Sequence, residues 1–269
     1  MNSAEQRLGD EFLESGFIIR KCESFEDLQG FYDFFVHRGA AWLEVNGSSG
    51  GFDALHTSHL KVVPEKLNDL RLHLFAELNA VADTRRKYFR LASSLVQTIV
   101  GNELAMQNKV NLSIQQPGDQ TSVLELHSDV WAGDSPFQVV LWVPLTDSTD
   151  TNAMFLLPPG ASSEAYRRAR CGELTSMAEI QEEYKDRFLT IEVGFGEVLL
   201  FDSNCLHGNQ LNTTSSSRWS LNCRLTSLLA PSTNPERRLG SFYTPILVRP
   251  ASRMGLRAME ILGIADGEN

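Results

Sequence analysis

FGEVLLFDSNCLHGNQLNTTSSSRWSLNCRLT, residues 195–226, is the stretch whose pattern decides the fold. Phe195 to Phe201 is an apolar run broken only by Gly196 and Glu197, and it reads as a strand. A turn at Asp202–Asn204 leads into a short second strand carrying His207. Gln210 to Ser217 is rich in turn formers. From Arg218 the pattern alternates: Arg218, Ser220, Asn222 and Arg224 share one face, and Trp219, Leu221, Cys223 and Leu225 share the other. The apolar row can pack beneath covering helices. The polar row then faces a cavity, a costly choice unless something polar sits there.

Working outward, the complement to His207 lies upstream at His127-Ser128-Asp129. In a strand, residues i and i+2 point to the same face, so His127 and Asp129 can grip one ion together while His207 arrives from a different strand. Two imidazoles and one carboxylate, with coordination positions left open, make the facial ligand set of a non-haem Fe(II) oxygenase. The lack of cysteine in the set argues against a closed structural zinc site. A barrel or jelly roll holding the metal on its inner face fits this spacing. Arg218 offers a planar, permanently charged fork for a carboxylate, and Ser220 can add a hydroxyl to the same group.

With those residues in place the chain resembles the 2-oxoglutarate/Fe(II)-dependent dioxygenases, in their phytanoyl-CoA dioxygenase-like branch. His127 and Asp129 match the family's HxD, His207 its distal histidine, and Arg218 its 2-oxoglutarate-binding arginine. The segment 151–160 looks like the family's small-residue strand ending in a Pro-Gly turn. Gly196 to Phe201 looks like the strand before the distal histidine, and Phe12 to Ile19 like the opening helix and first strand. The resemblance implies a double-stranded β-helix fold. It also implies Fe(II) held by His127, Asp129 and His207, with 2-oxoglutarate chelated beside them. Arg218 and Ser220 would hold the distal carboxylate, bordered by Trp142. O₂ would be consumed and succinate and CO₂ released, with ascorbate as an in vitro reductant. Halogenases of this class lack the carboxylate ligand, so Asp129 points to hydroxylation or a related oxidation. The doubled Pro158-Pro159 and the unmatched stretch 52–110 depart from the pattern and bear on substrate. A metal-binding cupin acting as isomerase or sensor is the reading from another class.

The chain has 269 residues, 42% of them hydrophobic, and a net charge of −10. That suffices for a full core, and the charge argues against nucleic acid or an acidic membrane surface as a general partner. With no linker-like stretch or repeat, a single domain is expected: mostly helical support over 1–107, a jelly-roll core over 108–228 with an insertion near 161–187, and an extension over 229–269. No long apolar run or leader pattern is evident, and Cys22, Cys171, Cys205 and Cys223 share no CxxC spacing. They read as reduced thiols of a cytoplasmic protein, with Cys205 a small buried hydrophobe.

Along the rest of the chain, helices are expected over 4–15, from Ser24 to about Gly39, over 65–82 and over 84–100, with a long loop at 45–60. Lys109 to Gln115 alternates like a strand, and its polar row of Asn111, Ser113 and Gln115 joins Asn222 and Arg224 as candidate substrate contacts. Phe137 to Leu145 is another strand and contains Trp142. After Leu228 the chain is expected to leave the barrel and end in a helix near 252–262. His56 and His59 read as an exposed loop pair, and the basic run 85–90 as a solvated helix face or an anion site. Arg167, Arg168 and Arg170 carry the same two readings, and Arg224 needs either Asp202 or the substrate as its partner. The polar inward rows favour a polar small-molecule substrate, a sugar or natural-product intermediate, ahead of an amino acid or an acyl thioester.

Overall fold

The computed structural model describes residues 2–46, 51, 54–231 and 234–263. Helix α1 (Ser3–Ser15) starts on Asn2, whose side chain accepts from the Ala4 and Glu5 amides, and stops at Gly16 with φ 79°. A Cβ at position 16 would sit 2.7 Å from Cys205 Sγ, so the turn and the close approach both require glycine. The stop feeds β1 (Phe17–Lys21). Helix α2 (Phe25–Val45) opens at Ser24 as expected but continues past Gly39, because Trp42 and Leu43 extend its buried face. Leu55–Leu60 is a short 3₁₀ turn where a loop was the expectation. Helix α3 (Pro64–Ala80) buries Leu67, Leu70, Leu74 and Leu78. The expected helix over 84–100 is two, α4 (Thr84–Arg90) and α5 (Ser93–Ile99). Leu91 and Ala92, both fully buried, turn the chain inward between them.

Strands β2 (Leu104–Gln107), β3 (Asn111–Gln115) and β4 (Gln138–Pro144) follow, then β5 (Met154–Leu156). Pro159 and Gly160 open helix α6 (Pro159–Arg170) instead of closing a turn; proline suits a first helical position, where no N–H is needed. Helix α7 (Met177–Glu183), β6 (Leu189–Ile191), β7 (Glu197–Asp202), β8 (His207–Asn209) and β9 (Arg218–Ser227) complete the barrel region. Past Leu228 the chain does not leave: β10 (Tyr243–Leu247) returns to pair with β2 before α8 (Pro250–Leu262).

The larger sheet runs β1-β7-β4-β9-β2-β10, with β3 pairing β9 further along the same edge as β2. The smaller runs β6-β5-β8. The pairings between these strands are antiparallel, and the fold is a double-stranded β-helix with flanking helices. β1 joins the larger sheet through Phe17↔Phe201.

The two faces of the larger sheet explain its sequence. Trp219, Leu221, Cys223 and Leu225 of β9 and Val139, Leu141 and Val143 of β4 pack outward into one core with Phe35 of α2 and Leu70 and Leu74 of α3. Tyr88 of α4 is fully buried there, its hydroxyl donating to the Leu141 carbonyl at 2.7 Å. The inward face carries Val140, Trp142, Leu199 and Phe201, which meet Met154 of the smaller sheet. β4 is therefore buried on both faces and reads as a continuous apolar run rather than an alternation.

Candidate active site

The polar row of β9 and the HxD segment converge between the two sheets. Backbone bonds of 2.9 Å run both ways between His127 and His207, so an isolated bridge joins the HxD segment to the edge of β8. Gly208 permits this contact: a Cβ there would lie 2.8 Å from the Leu124 carbonyl oxygen. Asp129 is not on a strand, contrary to the expectation that His127 and Asp129 share one. The chain turns immediately after His127, with Asp134 N–H donating to the Asp129 carbonyl at 3.0 Å and Gly133 at φ 93°.

The turn still delivers the carboxylate. One ligand atom each from His127, Asp129 and His207 lie within 4.8 Å of one another, close enough for side-chain rotation to bring all three to one ion. Both imidazoles are oriented by the same device. His127 Nδ1 faces the Glu125 carbonyl at 2.8 Å, and His207 Nδ1 the Cys205 carbonyl at 2.9 Å. A carbonyl only accepts, so each Nδ1 carries the proton and each Nε2 keeps its lone pair. Burial, with His127 alongside, pushes the His207 imidazole down to about 4, which keeps it neutral and able to ligate at neutral pH. Residues of these types in this arrangement fit a divalent metal that keeps open positions.

Arg218 is 4% exposed and, among the described residues, pairs with no acid. Its Nη1 donates to the Asn152 carbonyl at 3.2 Å and its Nη2 to Ser113 Oγ at 3.3 Å. Among the described residues its Nε finds no partner, nor does the buried Ser220 Oγ. Burial alone lowers the guanidinium to about 10. An uncompensated buried cation with orphaned donors beside it is what a ligand carboxylate would complete. The Arg218 Cζ lies 5.8 Å from the centre of the Trp142 ring, which also lines the cavity.

That cavity is about 360 Å³ and contains the histidines, Asp129, Arg218, Asn111, Ser113 and Asn222. Asn111 Nδ2 donates to Asn222 Oδ1 at 3.0 Å across the β3–β9 pair. Two further residues expected to contact substrate are already bonded to the protein. Gln115 turns its amide to the Gln210 carbonyl at 2.6 Å, outside the cavity lining. Arg224 does line the cavity but is engaged by acids: its Nη2 and Nε bond Asp129 at 2.7 and 3.1 Å, and its Nε lies 3.0 Å from Asp134. Asp202, the expected partner, instead accepts from the Asn204 amide at 2.9 Å.

The sequence reading missed Arg71, which reaches the cavity lining from α3 because it flanks the buried leucine stripe. It also missed Asp134, whose one available signal was an acid in the turn just after the HxD. Of the basic run at 85–90, Arg86 and Lys87 lie on the exposed helix face, while Arg85 and Arg90 are tied to the fold. Arg85 donates to the Gln107, Met106 and Thr244 carbonyls, and Arg90 pairs with Asp27 at 2.7 Å. Arg168 pairs with Glu173 and Glu183, at 3.1 and 2.6 Å. His59 contacts Ser217 Oγ at 3.0 Å, within the 3₁₀ turn. Among the described residues the four cysteines are unpaired, and no helix is long and apolar enough to cross a membrane.

A family model described as phytanoyl-CoA dioxygenase (PhyH) matches residues 46–220, a span that takes in His127, Asp129, His207, Arg218 and Ser220. No curated protein matches the sequence. Similar solved structures include the non-heme monooxygenase ThoJ in complex with nickel, at 15% identity and TM-score 0.57, covering 90% of this chain and 83% of that one. HygX from Streptomyces hygroscopicus, with nickel and 2-oxoglutarate bound, shows 14% identity and TM-score 0.50 over 92% of this chain and 98% of that one. The non-heme alpha-ketoglutarate-dependent epimerase SnoN from nogalamycin biosynthesis shows 15% identity and TM-score 0.51 over 92% and 99%.

Proposed function

The chain belongs to the phytanoyl-CoA dioxygenase family of metal- and 2-oxoglutarate-dependent non-haem oxygenases, and we propose that it oxidises an unactivated C–H bond of a polar small molecule. The observation that carries this reading is one cavity holding two imidazoles, a carboxylate and a buried arginine that pairs with no acid among the described residues. In the proposal His127, Asp129 and His207 hold Fe(II). Arg218 grips the distal carboxylate of 2-oxoglutarate, with Ser220 donating its orphaned hydroxyl to the same group. Bound there, iron with 2-oxoglutarate and O₂ supplies the oxidising power, and succinate and CO₂ leave. The protein's own part is placement. Val140, Trp142, Phe201 and Met154 keep water from the site's inner wall, and the fixed Nδ1 protons hold both imidazoles in a ligating tautomer. HygX carries nickel and 2-oxoglutarate on this fold.

For the substrate, the support is the outer cavity wall, where Asn111 and Asn222 present amides and Arg71 presents a guanidinium. Arg71 Nη2 is steadied by Asn68 Oδ1 at 2.6 Å, and among the described residues it forms no ion pair. A sugar or natural-product intermediate bearing an acidic group suits that wall better than an apolar acyl chain. SnoN is an epimerase, so the outcome in this chain is proposed as C–H oxidation, of which hydroxylation is the simplest form. Succinate formation from 2-oxoglutarate with Fe(II) and ascorbate tests the class and separates it from a metal-binding cupin that consumes no oxygen. Stimulation across matched acidic and neutral sugars, amino acids and acyl thioesters tests the substrate. Stimulation by an apolar acyl thioester alone overturns the polar assignment.

A further inference from the structure

Each candidate metal ligand in this site has one outer partner that sets its orientation. For the two histidines it is a backbone carbonyl two residues earlier. For Asp129 it is a side chain. Among the described residues, Arg224 alone bonds that carboxylate, with Nη2 on Oδ1 at 2.7 Å and Nε on Oδ2 at 3.1 Å. The carboxylate needs such a partner because it sits in a turn, where no strand geometry fixes its χ angles. A two-pronged guanidinium sets the plane of the group as well as its charge, and leaves each oxygen a lone pair for a metal.

Arg224 is itself held from behind. Asp134, with a side chain only 1% exposed, lies 3.0 Å from Arg224 Nε, and its other oxygen takes the guanidinium of Arg237. Arg237 belongs to the short turn Pro235–Arg237, beyond the barrel strands. Its neighbour Asn234 donates from Nδ2 to the Gly133 carbonyl at 3.2 Å, so the turn bearing Asp129 and Asp134 is clamped by the segment after β9 as well as by β9. Two acids and two arginines alternate along this line, and their charges cancel. Removing Arg224 would leave the buried carboxylates of Asp129 and Asp134 without the guanidinium between them.

We propose that Arg224 is a positioning residue of the metal centre, holding Asp129 in its ligating orientation, and that Asp134, itself paired with Arg237 of the segment after β9, braces it from behind. This rests on the reading of His127, Asp129 and His207 as metal ligands. It also assigns a role to residues 234–237 that the family match, ending at Ser220, does not cover.

The test is Ni(II) titration of the full-length metal-free protein, with the Co(II) absorption spectrum recorded alongside and folding checked by circular dichroism. Arg224→Gln is expected to weaken Ni(II) binding about 10- to 100-fold, the usual cost of losing a ligand's outer partner, and to change the Co(II) spectrum. Arg224→Lys keeps the charge and loses the fork, so its affinity falls between the two. Arg237→Gln, on the partly exposed side, gives a smaller loss of the same sign. Wild-type affinity and spectrum in folded Arg224→Gln overturn the proposal. Should that variant fail to fold, Arg224→Lys decides alone, and a wild-type result there overturns it equally. Wild-type affinity in Arg237→Gln removes the brace. Asp129→Ala is run in parallel: if it too binds Ni(II) like the wild type, the metal-ligand reading fails, which is a different outcome from failure of Arg224.

Discussion

A buried guanidinium that meets no acid among the described residues is the most informative single group of this molecule. Arg218 spends two of its donors on a carbonyl and a hydroxyl and leaves Nε unused. Substitution by lysine preserves the charge but not the planar fork. Arg218→Lys is therefore expected to weaken 2-oxoglutarate binding about 10- to 100-fold, the worth of a charge-assisted hydrogen bond, while Ni(II) binding stays unchanged. Titrating each ligand separately checks both halves, and an unchanged 2-oxoglutarate affinity would remove Arg218 from the proposed role. At Asp129 the expected loss is of the metal itself: Asp129→Ala should abolish substrate-dependent succinate formation, and full turnover in that variant would contradict the ligand assignment.

Helix α2 shows how an element supports a site it does not touch. Its Phe35 is fully buried against Trp219, ring centres 5.8 Å apart, directly behind the strand that carries Arg218 and Ser220. Phe35→Ala should cost about 3–5 kcal/mol of unfolding free energy, read from urea denaturation. The start of the same helix is pinned by Asp27, whose carboxyl is held below the usual carboxylate range by its hydrogen bonds to Arg90. A depressed folded-state value means that this stabilisation is present above the ordinary value of 3.8 and is lost as pH falls through the folded one. Arg90 is half exposed, so the gain is modest. Arg90→Gln should lower stability at pH 7 and narrow the gap between pH 7 and pH 3 unfolding midpoints. An identical pH profile in wild type and variant would show that the pair contributes nothing.

At the scale of the whole molecule, metal and 2-oxoglutarate should bind in order, because one completes the coordination that the other chelates. In a thermal melt Ni(II) alone should raise the midpoint, and 2-oxoglutarate should raise it further only when metal is present. Each ligand at a hundredfold excess over its dissociation constant adds about 2.7 kcal/mol. A shift by 2-oxoglutarate in metal-free protein, equal to that with metal, would place its site away from the triad. The addition of β10 to the larger sheet bears on the same experiment. Residues after Leu228 pair with β2 and clamp the turn that carries Asp129, so truncation there should reduce the metal-dependent shift as well as the starting midpoint.

The sequence alone determined what depends on period and residue type. The alternation of 218–226 put Arg218, Ser220 and Asn222 inward and Trp219, Leu221 and Cys223 under the helices, since a strand allows only two directions for a side chain. The HxD, the distal histidine and Arg218 pointed to the metal- and 2-oxoglutarate-dependent family that the family match bears out. The tertiary structure decided whatever depends on contacts between distant segments. Asp129 lies in a turn and not a strand, because Asp134 and Gly133 bend the chain there. Arg224, one of four polar residues in a row that local pattern treats alike, bonds the Asp129 carboxylate, 95 residues away in the chain. Arg85 and Arg90 look like a solvated face until the carbonyls of β2 and the carboxylate of Asp27 come round to meet them. Spacing along the chain reports which side of an element a residue occupies; the partner waiting on that side is set by how the elements pack.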